Sequence, residues 1–424
     1  MINYDYLRPQ KGAQLKSIHD SLKWKQEPLS VQTYPNATIL PLRRVEGDHV
    51  LFGCGGAVDE NGAYIRASAL ENFVQNGYKF DQSVKSDKKV VFCGYLIDQW
   101  GHFLLQAVAR LWYFLENDAT IDRYVFFVKE GEERELKGNY RMFFELLGIL
   151  DKLEIINEPT LYRELVIPEL SYDWIKYVTP QFAAIFDRVA ENVKPNPDWK
   201  TYDKIFLTRS QFKKARETEI GTEVFDDYFR KNGYEILSPE KIPLPQLIYL
   251  IRNASDCAFV SGTAPHNMVF ARDGQHCTIL ERGASNNDFQ ANVNVARDLN
   301  VTYIDANISI YIVNAGMGPF ILSYKGMLEK YTNDNQLSPP NHRYTSESYL
   351  RKQFAAYMEK YRRQYAYQVY MEDWLLSCIS HRYEAYADAQ KYVGEYLNGS
   401  KPFKVSQCIR PRYLYSALRR ILHH

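Results

Sequence analysis

The chain has little of what commonly announces a function. Only six of its 424 residues are cysteine, at 54, 93, 257, 277, 378 and 408. They form no C-x-x-C pair and have no neighbouring histidine at zinc spacing, which argues against a structural metal site and a disulfide framework. Core thiols in a reducing compartment account for them. No run of about 18 apolar residues occurs, as a membrane-spanning helix would need, and Met1 to Gln14 is too polar for a secretion signal. These features predict a cytoplasmic protein. Neither sign of charge dominates: 52 Lys+Arg face 51 Asp+Glu, a net +1. Nothing in bulk electrostatics therefore favours nucleic acid as a partner, and any anion site must be local. There is no G-x-G-x-x-G, for which Gly53, Gly55 and Gly56 around Cys54 are too weak a substitute, and no Gly-Lys-Ser or Gly-Lys-Thr of a Walker loop.

What is present is the composition of a folded chain, 46% hydrophobic and 24% charged, long enough for two or three domains. Short β-branched and aromatic runs alternate with helix-like segments in the middle of the chain, with strands expected at residues 204–208, 234–237, 257–260, 277–281 and 302–304. Between them Val224, Phe225, Tyr228 and Phe229, then Leu247, Ile248, Leu250 and Ile251, recur at helical spacing. This pattern predicts a doubly wound parallel sheet. The first half reads as a less regular version, with strands at 90–93, 124–128 and 165–167 and helices at 102–115 and 141–147. Pro195-Asn196-Pro197 breaks the chain before the second sheet. The reading is α/β, with two Rossmann-like domains, 1–196 and 197–332, facing each other across a cleft. A Tyr-rich basic helical segment, 333–424, follows.

Four features could carry chemistry. Arg209, Lys213, Lys214 and Arg216 follow the 204–208 strand, where a phosphate-bearing ligand would sit, unless the loop is simply solvated. Residues 260–267 (VSGTAPHN) turn from a strand into a helix, with Gly262 in the turn and Thr263 as N-cap; its amides, His266 and Asn267 would face an anion, or the turn is tight and empty. Glu281 ends the next strand and either accepts ribose hydroxyls or pairs with Arg282 at the surface. In the first half, Trp100, His102 and Arg110 follow a strand. His102 could take a proton from a hydroxyl, and Asp98 could do the same or orient it.

In order along the chain these elements resemble glycosyltransferase family 61. Gly101-His102-Phe103-Leu104-Leu105 through Arg110-Leu111, then Thr208-Arg209 with Arg216, then Ser255-Asp256 through Gly262-Thr263-Ala264-Pro265-His266-Asn267-Met268-Val269-Phe270 carry the resemblance over about residues 90 to 285. The chain departs from the family at Gln106, where an acid is expected, at Ile220-Gly221, where Asn-Glu is expected, and in the loop, where Gly262-Thr263-Ala264 replaces His-Gly-Ala. The resemblance implies a two-domain GT-B architecture and an inverting transferase of surface polysaccharide, capsular or lipopolysaccharide type. It would use a nucleotide sugar, a UDP-sugar foremost, as donor and a glycan or lipid-linked glycan as acceptor. It implies His102 as base with Asp98 in reserve, and Trp100 and Arg110 on the acceptor side. Arg209, Lys213, Arg216, Gly262, Thr263, His266 and Asn267 would hold the diphosphate, with Glu281 on the ribose. No D-x-D occurs, so a site without metal or other cofactor is expected, with arginines and amides taking the charge.

Two other readings stand beside this one. Ser261 with His266 and an Asp would make a polysaccharide acyltransferase or esterase, although the G-x-S-x-G elbow is missing. The departures at Gln106 and Ile220-Gly221 would suit a catalytically lapsed, glycan-binding relative. The C-terminal region is basic: from Pro340 onward 14 Lys+Arg face 7 Asp+Glu. Residues 401–422 hold six basic and no acidic side chains, with Leu414, Ala417, Leu418, Ile421 and Leu422 at helical spacing. Such a helix could lie on the inner face of an anionic membrane or pack back on the protein. Tyr357, Tyr361 and Tyr365 form an i, i+4 stripe that suits packing better than sugar stacking.

Overall fold

The computed structural model describes residues 1–44, 52–70, 73–213, 218–283, 286–309 and 318–364. Two six-stranded sheets dominate it. In the second sheet Lys204–Leu207 has Glu235–Leu237 on one side and Asp256–Val260 on the other, with His276–Glu281 and Asn300–Asp305 following outward, every pair parallel. Alternation sorts the side chains. Ile205, Leu207, Cys257 and Phe259 enter the larger core, while Phe206, Ala258, Val260, Leu280 and Ile304 enter a smaller one. Helices cover both faces: Glu223–Lys231 buries Val224, Phe225, Tyr228 and Phe229 in the smaller core, and Leu244–Asn253 buries Leu247, Ile248, Leu250 and Ile251 in the larger. This is the doubly wound sheet that the periodicity predicts. The chain leaves Lys204–Leu207 toward one edge and returns past it to Asp256–Val260, which opens a crevice beyond the C-terminal ends of those two strands.

The first sheet corrects the expectation of a second Rossmann-like layer, because it is mixed. Val31–Arg43 runs antiparallel to both neighbours, Cys54–Val58 and Thr160–Pro168, while Val84–Tyr95, Arg123–Phe127 and Leu153–Ile156 add in parallel. The long strand escapes a reading of the sequence because Pro35-Asn36 looks like a turn. Instead Pro35 pairs opposite Glu164, and Asn36 takes φ 48° inside the strand. Gly53 has a strand-packing role: at φ 135° a Cβ there would lie 2.6 Å from the Arg43 carbonyl oxygen.

The chain's beginning joins the second sheet, although the sequence division assigns it to the first half. Ile2–Tyr6 pairs in parallel with Asn300–Asp305. The following helix, Pro9–Ser21, sends Lys11 to within 3.1 Å of Glu281 and onto the Gly283 carbonyl at 2.7 Å, while Arg8 meets Asp305 at 2.5 Å. Two buried acids at neighbouring strand ends need cations, and the N-terminal segment supplies both. At the other end, helix Glu347–Gln364 buries Tyr357 and Tyr361 with ring centroids 6.2 Å apart, a packing arrangement. The helices expected beyond residue 364, including 401–422, lie outside the described residues. Among the described residues no helix is long and apolar enough to cross a membrane.

Candidate functional site

A cavity of about 400 Å³ lies at the crevice, with Trp100 on one wall and Arg209, Thr263, Asn267 and Arg282 on the other. Its electrostatics turn on Glu219. This carboxylate is fully buried and accepts from Arg209 Nε at 3.0 Å and from Arg282 Nη1. Two guanidiniums around one acid leave a formal positive charge facing the cavity, and their planar forks suit phosphate oxygens. Burial draws the Arg282 pKa down, and Glu219 opposes that shift. Arg282 also lies over the Phe320 ring, 4.9 Å from its centroid. Its position depends on Gly262: at φ 133° a Cβ there would stand 3.1 Å from the Arg282 guanidinium carbon.

The residues around His102 form three short pieces rather than one helix. Trp100–His102 is α-helical, Phe103–Ala107 widens into a π turn closed by Val108 N–H to the Phe103 carbonyl at 3.3 Å, and Leu111–Glu116 is a 3-10 helix. Turns of this width recur at functional sites. His102 Nδ1 bonds Gln106 Oε1. An amide oxygen only accepts, so Nδ1 carries the proton and Nε2 is the basic nitrogen. Burial pushes the His102 pKa below its ordinary value, and the bond to Gln106 opposes that shift. The element packs onto the 263–270 helix through Gly101, where a Cβ would sit 3.0 Å from His266 Cδ2 and 3.2 Å from the Thr263 side chain. His266 is buried and holds Gln290 Oε1 at 2.9 Å; burial lowers its pKa to about 4, and the proximity of His102 adds to the fall. Trp100 donates its indole N–H to Asn267 at 2.9 Å, a further tie between the two walls.

Of the residues singled out in the sequence, Trp100, Arg209, Thr263 and Asn267 line the cavity, and Gly262, His102 and His266 stand against those that do. Others lie elsewhere. Asp98 is exposed, and Gln106 is the residue that orients His102. Lys213 is exposed and is not among the lining residues, while Arg216 lies outside the described residues. Glu281 is buried against Lys11 rather than at the cavity or in a surface pair with Arg282, and burial raises its pKa. Arg110 is interior, bonding the carbonyls of Ala67, Ala69 and Pro168; burial draws it down to about 10. Thr263 occupies the N-cap position without a capping bond, ahead of a seven-residue 3-10 helix, so little helix dipole reaches the cavity. The Ser261 hydroxyl accepts the Arg282 backbone N–H at 3.1 Å, which fixes the turn rather than arming a nucleophile. Sequence reasoning missed Arg282 and Glu219. Arg282 follows its strand much as Arg209 follows its own, and Glu219 directly precedes the Ile220-Gly221 pair at which an acid was sought.

The mixed α/β fold and the arginine pair at parallel strand ends fit a protein that handles phosphorylated ligands. Residues 100–280 match the family described as Glycosyltransferase 61, which supports a glycosyltransferase family 61 assignment for that stretch. The match begins at Trp100 and ends one residue before Glu281, so it spans both walls of the cavity apart from Gln99 and Arg282. No curated protein matches the chain. The match supports glycosyltransferase activity, with a sugar donor and a glycan acceptor as ligands in general terms.

Proposed function

We propose that the chain is an inverting glycosyltransferase, transferring a sugar from a nucleotide-sugar donor, UDP-linked by first choice, to a glycan hydroxyl in surface-polysaccharide synthesis. The observation that carries this reading is the pair Arg209 and Arg282, held on Glu219 at the mouth of the parallel sheet. In the reaction His102 Nε2 takes the proton of the acceptor hydroxyl. The acceptor oxygen then forms a bond to the anomeric carbon from the face opposite the diphosphate. The bond from that carbon to the phosphate oxygen breaks, and the diphosphate leaves with the electron pair. Arg209 and Arg282 take up the charge that develops on the leaving group, without a metal ion. Asn267 and Trp100 fix the wall that the sugar faces.

The test is a transfer assay with UDP-, GDP- and CMP-sugars against a panel of glycan acceptors, following release of the nucleotide and the anomeric configuration of the product. Turnover with inverted configuration, lost in His102→Ala, supports the reading. A native protein that binds glycans but releases no nucleotide is the lapsed relative instead. We assign a cytoplasmic location at the inner face of the membrane, with the 401–422 segment as the contact. Deleting residues 405–424 should abolish sedimentation with anionic liposomes, and unchanged sedimentation would contradict that contact.

A further inference from the structure

A second cavity, about 110 Å³, is walled by Phe73, Gln106, Tyr172, Trp174 and Ile175 among others, and shares no lining residue with the arginine cavity. The His102 element reaches both, since Trp100 lines one and Gln106 the other. The His102 ring stands 5.9 Å from Phe73 and 5.1 Å from Phe289, which in turn stacks on Trp174 at 4.9 Å and 9°.

Two observations mark this cavity as built for a ligand. The Tyr172 hydroxyl and the Trp174 indole N–H are buried and have no hydrogen-bond partner among the described residues, and Tyr172 is only 2% exposed. Buried donors in folded proteins are nearly always paired, so two orphans on residues that line one cavity call for an acceptor that the described residues do not supply. The turn that carries Trp174 is also strained. Ile175, a β-branched residue, adopts φ 52°. The buried Asn292 enforces that conformation, accepting from Ile175 N–H and donating to the Asp173 carbonyl, both at 3.1 Å. Strain held in place by surrounding structure gathers at ligand clamps.

We propose that this cavity is the acceptor subsite and takes the terminal pyranose of the acceptor glycan, an inference that rests on the transferase reading above. A pyranose presents apolar C–H faces and a rim of oxygen acceptors. The faces suit the aromatic wall of Phe73 and Trp174, and the oxygens suit the unpaired donors of Tyr172 and Trp174. The size of the cavity suits one ring rather than a chain. His102 then stands between the space for the donor and the space for the acceptor.

The experiment is ligand-detected NMR on the full chain with methyl glycosides of glucose, galactose, mannose, xylose and N-acetylglucosamine, alongside calorimetric titration with UDP, GDP, CDP and CMP. At least one methyl glycoside should bind. Trp174→Ala should weaken it tenfold or more, and Trp174→Phe, which keeps the stacking and loses the N–H, should weaken it severalfold; neither variant should alter nucleotide affinity. If Trp174→Ala does not fold, Trp174→Phe decides. A native protein that binds a nucleotide but no methyl glycoside overturns the subsite, as does glycoside affinity that the folded variants leave unchanged. Glycoside binding that depends on Trp174 in a protein that binds no nucleotide supports the subsite and overturns the transferase.

Discussion

Single residues set the protonation behaviour of the site. His266 is neutral when folded, with a pKa of about 4, whereas an unfolded histidine titrates near 6.5. As pH falls from about 6.5 to about 4 the unfolded chain takes up a proton that the folded chain does not. Stability should therefore drop over that window by about 3 kcal/mol and level off below it. Denaturant melts of the native protein and of His266→Gln at pH 7 and pH 4.5 would show the difference, since the variant lacks this term. His102 is shifted in the same direction. As the proposed base it must be neutral to act, so kcat/KM should hold its value down to below the ordinary histidine pKa of 6.5; an acid limb centred above 6.5 would argue against His102. The places of Arg209, Trp100 and Asn267 beside the cavity were legible from the sequence because each follows or opens an element with a readable period. Arg282 and Glu219 were not, because their roles depend on a side-chain meeting across 63 residues of chain, from a short strand at 219–220 to the end of another.

At the scale of elements, two glycines govern how the walls approach each other. A methyl group on Gly101 would meet His266 and Thr263. Gly101→Ala should destabilise by about 1 to 3 kcal/mol, read as a lowered melting temperature. Gly262→Ala has a different signature, because its Cβ would displace the Arg282 guanidinium. Nucleotide affinity should fall about as far as in Arg282→Ala, and the φ of 133° adds a stability cost of about 1 to 3 kcal/mol that Arg282→Ala lacks. The strands of the second sheet were legible because their faces alternate and each is closed by a helix with an apolar stripe. The first sheet was less so, since Pro35-Asn36 mimics a turn. The His102 element is apolar enough to suggest one helix, yet tertiary contacts break it into three pieces.

The whole molecule is closed by its beginning. Ile2–Tyr6 covers the edge of the second sheet, and Lys11 neutralises Glu281 beneath it. Removing a buried cation while its acid remains is expected to cost about 3 to 5 kcal/mol. Lys11→Met should therefore lower the melting temperature strongly, and the double variant Lys11→Met, Glu281→Gln should recover part of the loss. This long-range closure could not be read from the sequence, because pairing between residues 2 and 301 leaves no local pattern. The central claim, that Arg209 and Arg282 on Glu219 form the seat of a nucleoside diphosphate, is tested most directly by calorimetry. Native protein, Arg209→Ala and Arg282→Ala are titrated with UDP, GDP, CDP and CMP, with and without chelator. The account predicts saturable binding of one nucleotide that survives the chelator and weakens by about 2 to 3 kcal/mol in each variant. Binding of none, or an affinity that both variants leave unchanged, would contradict it.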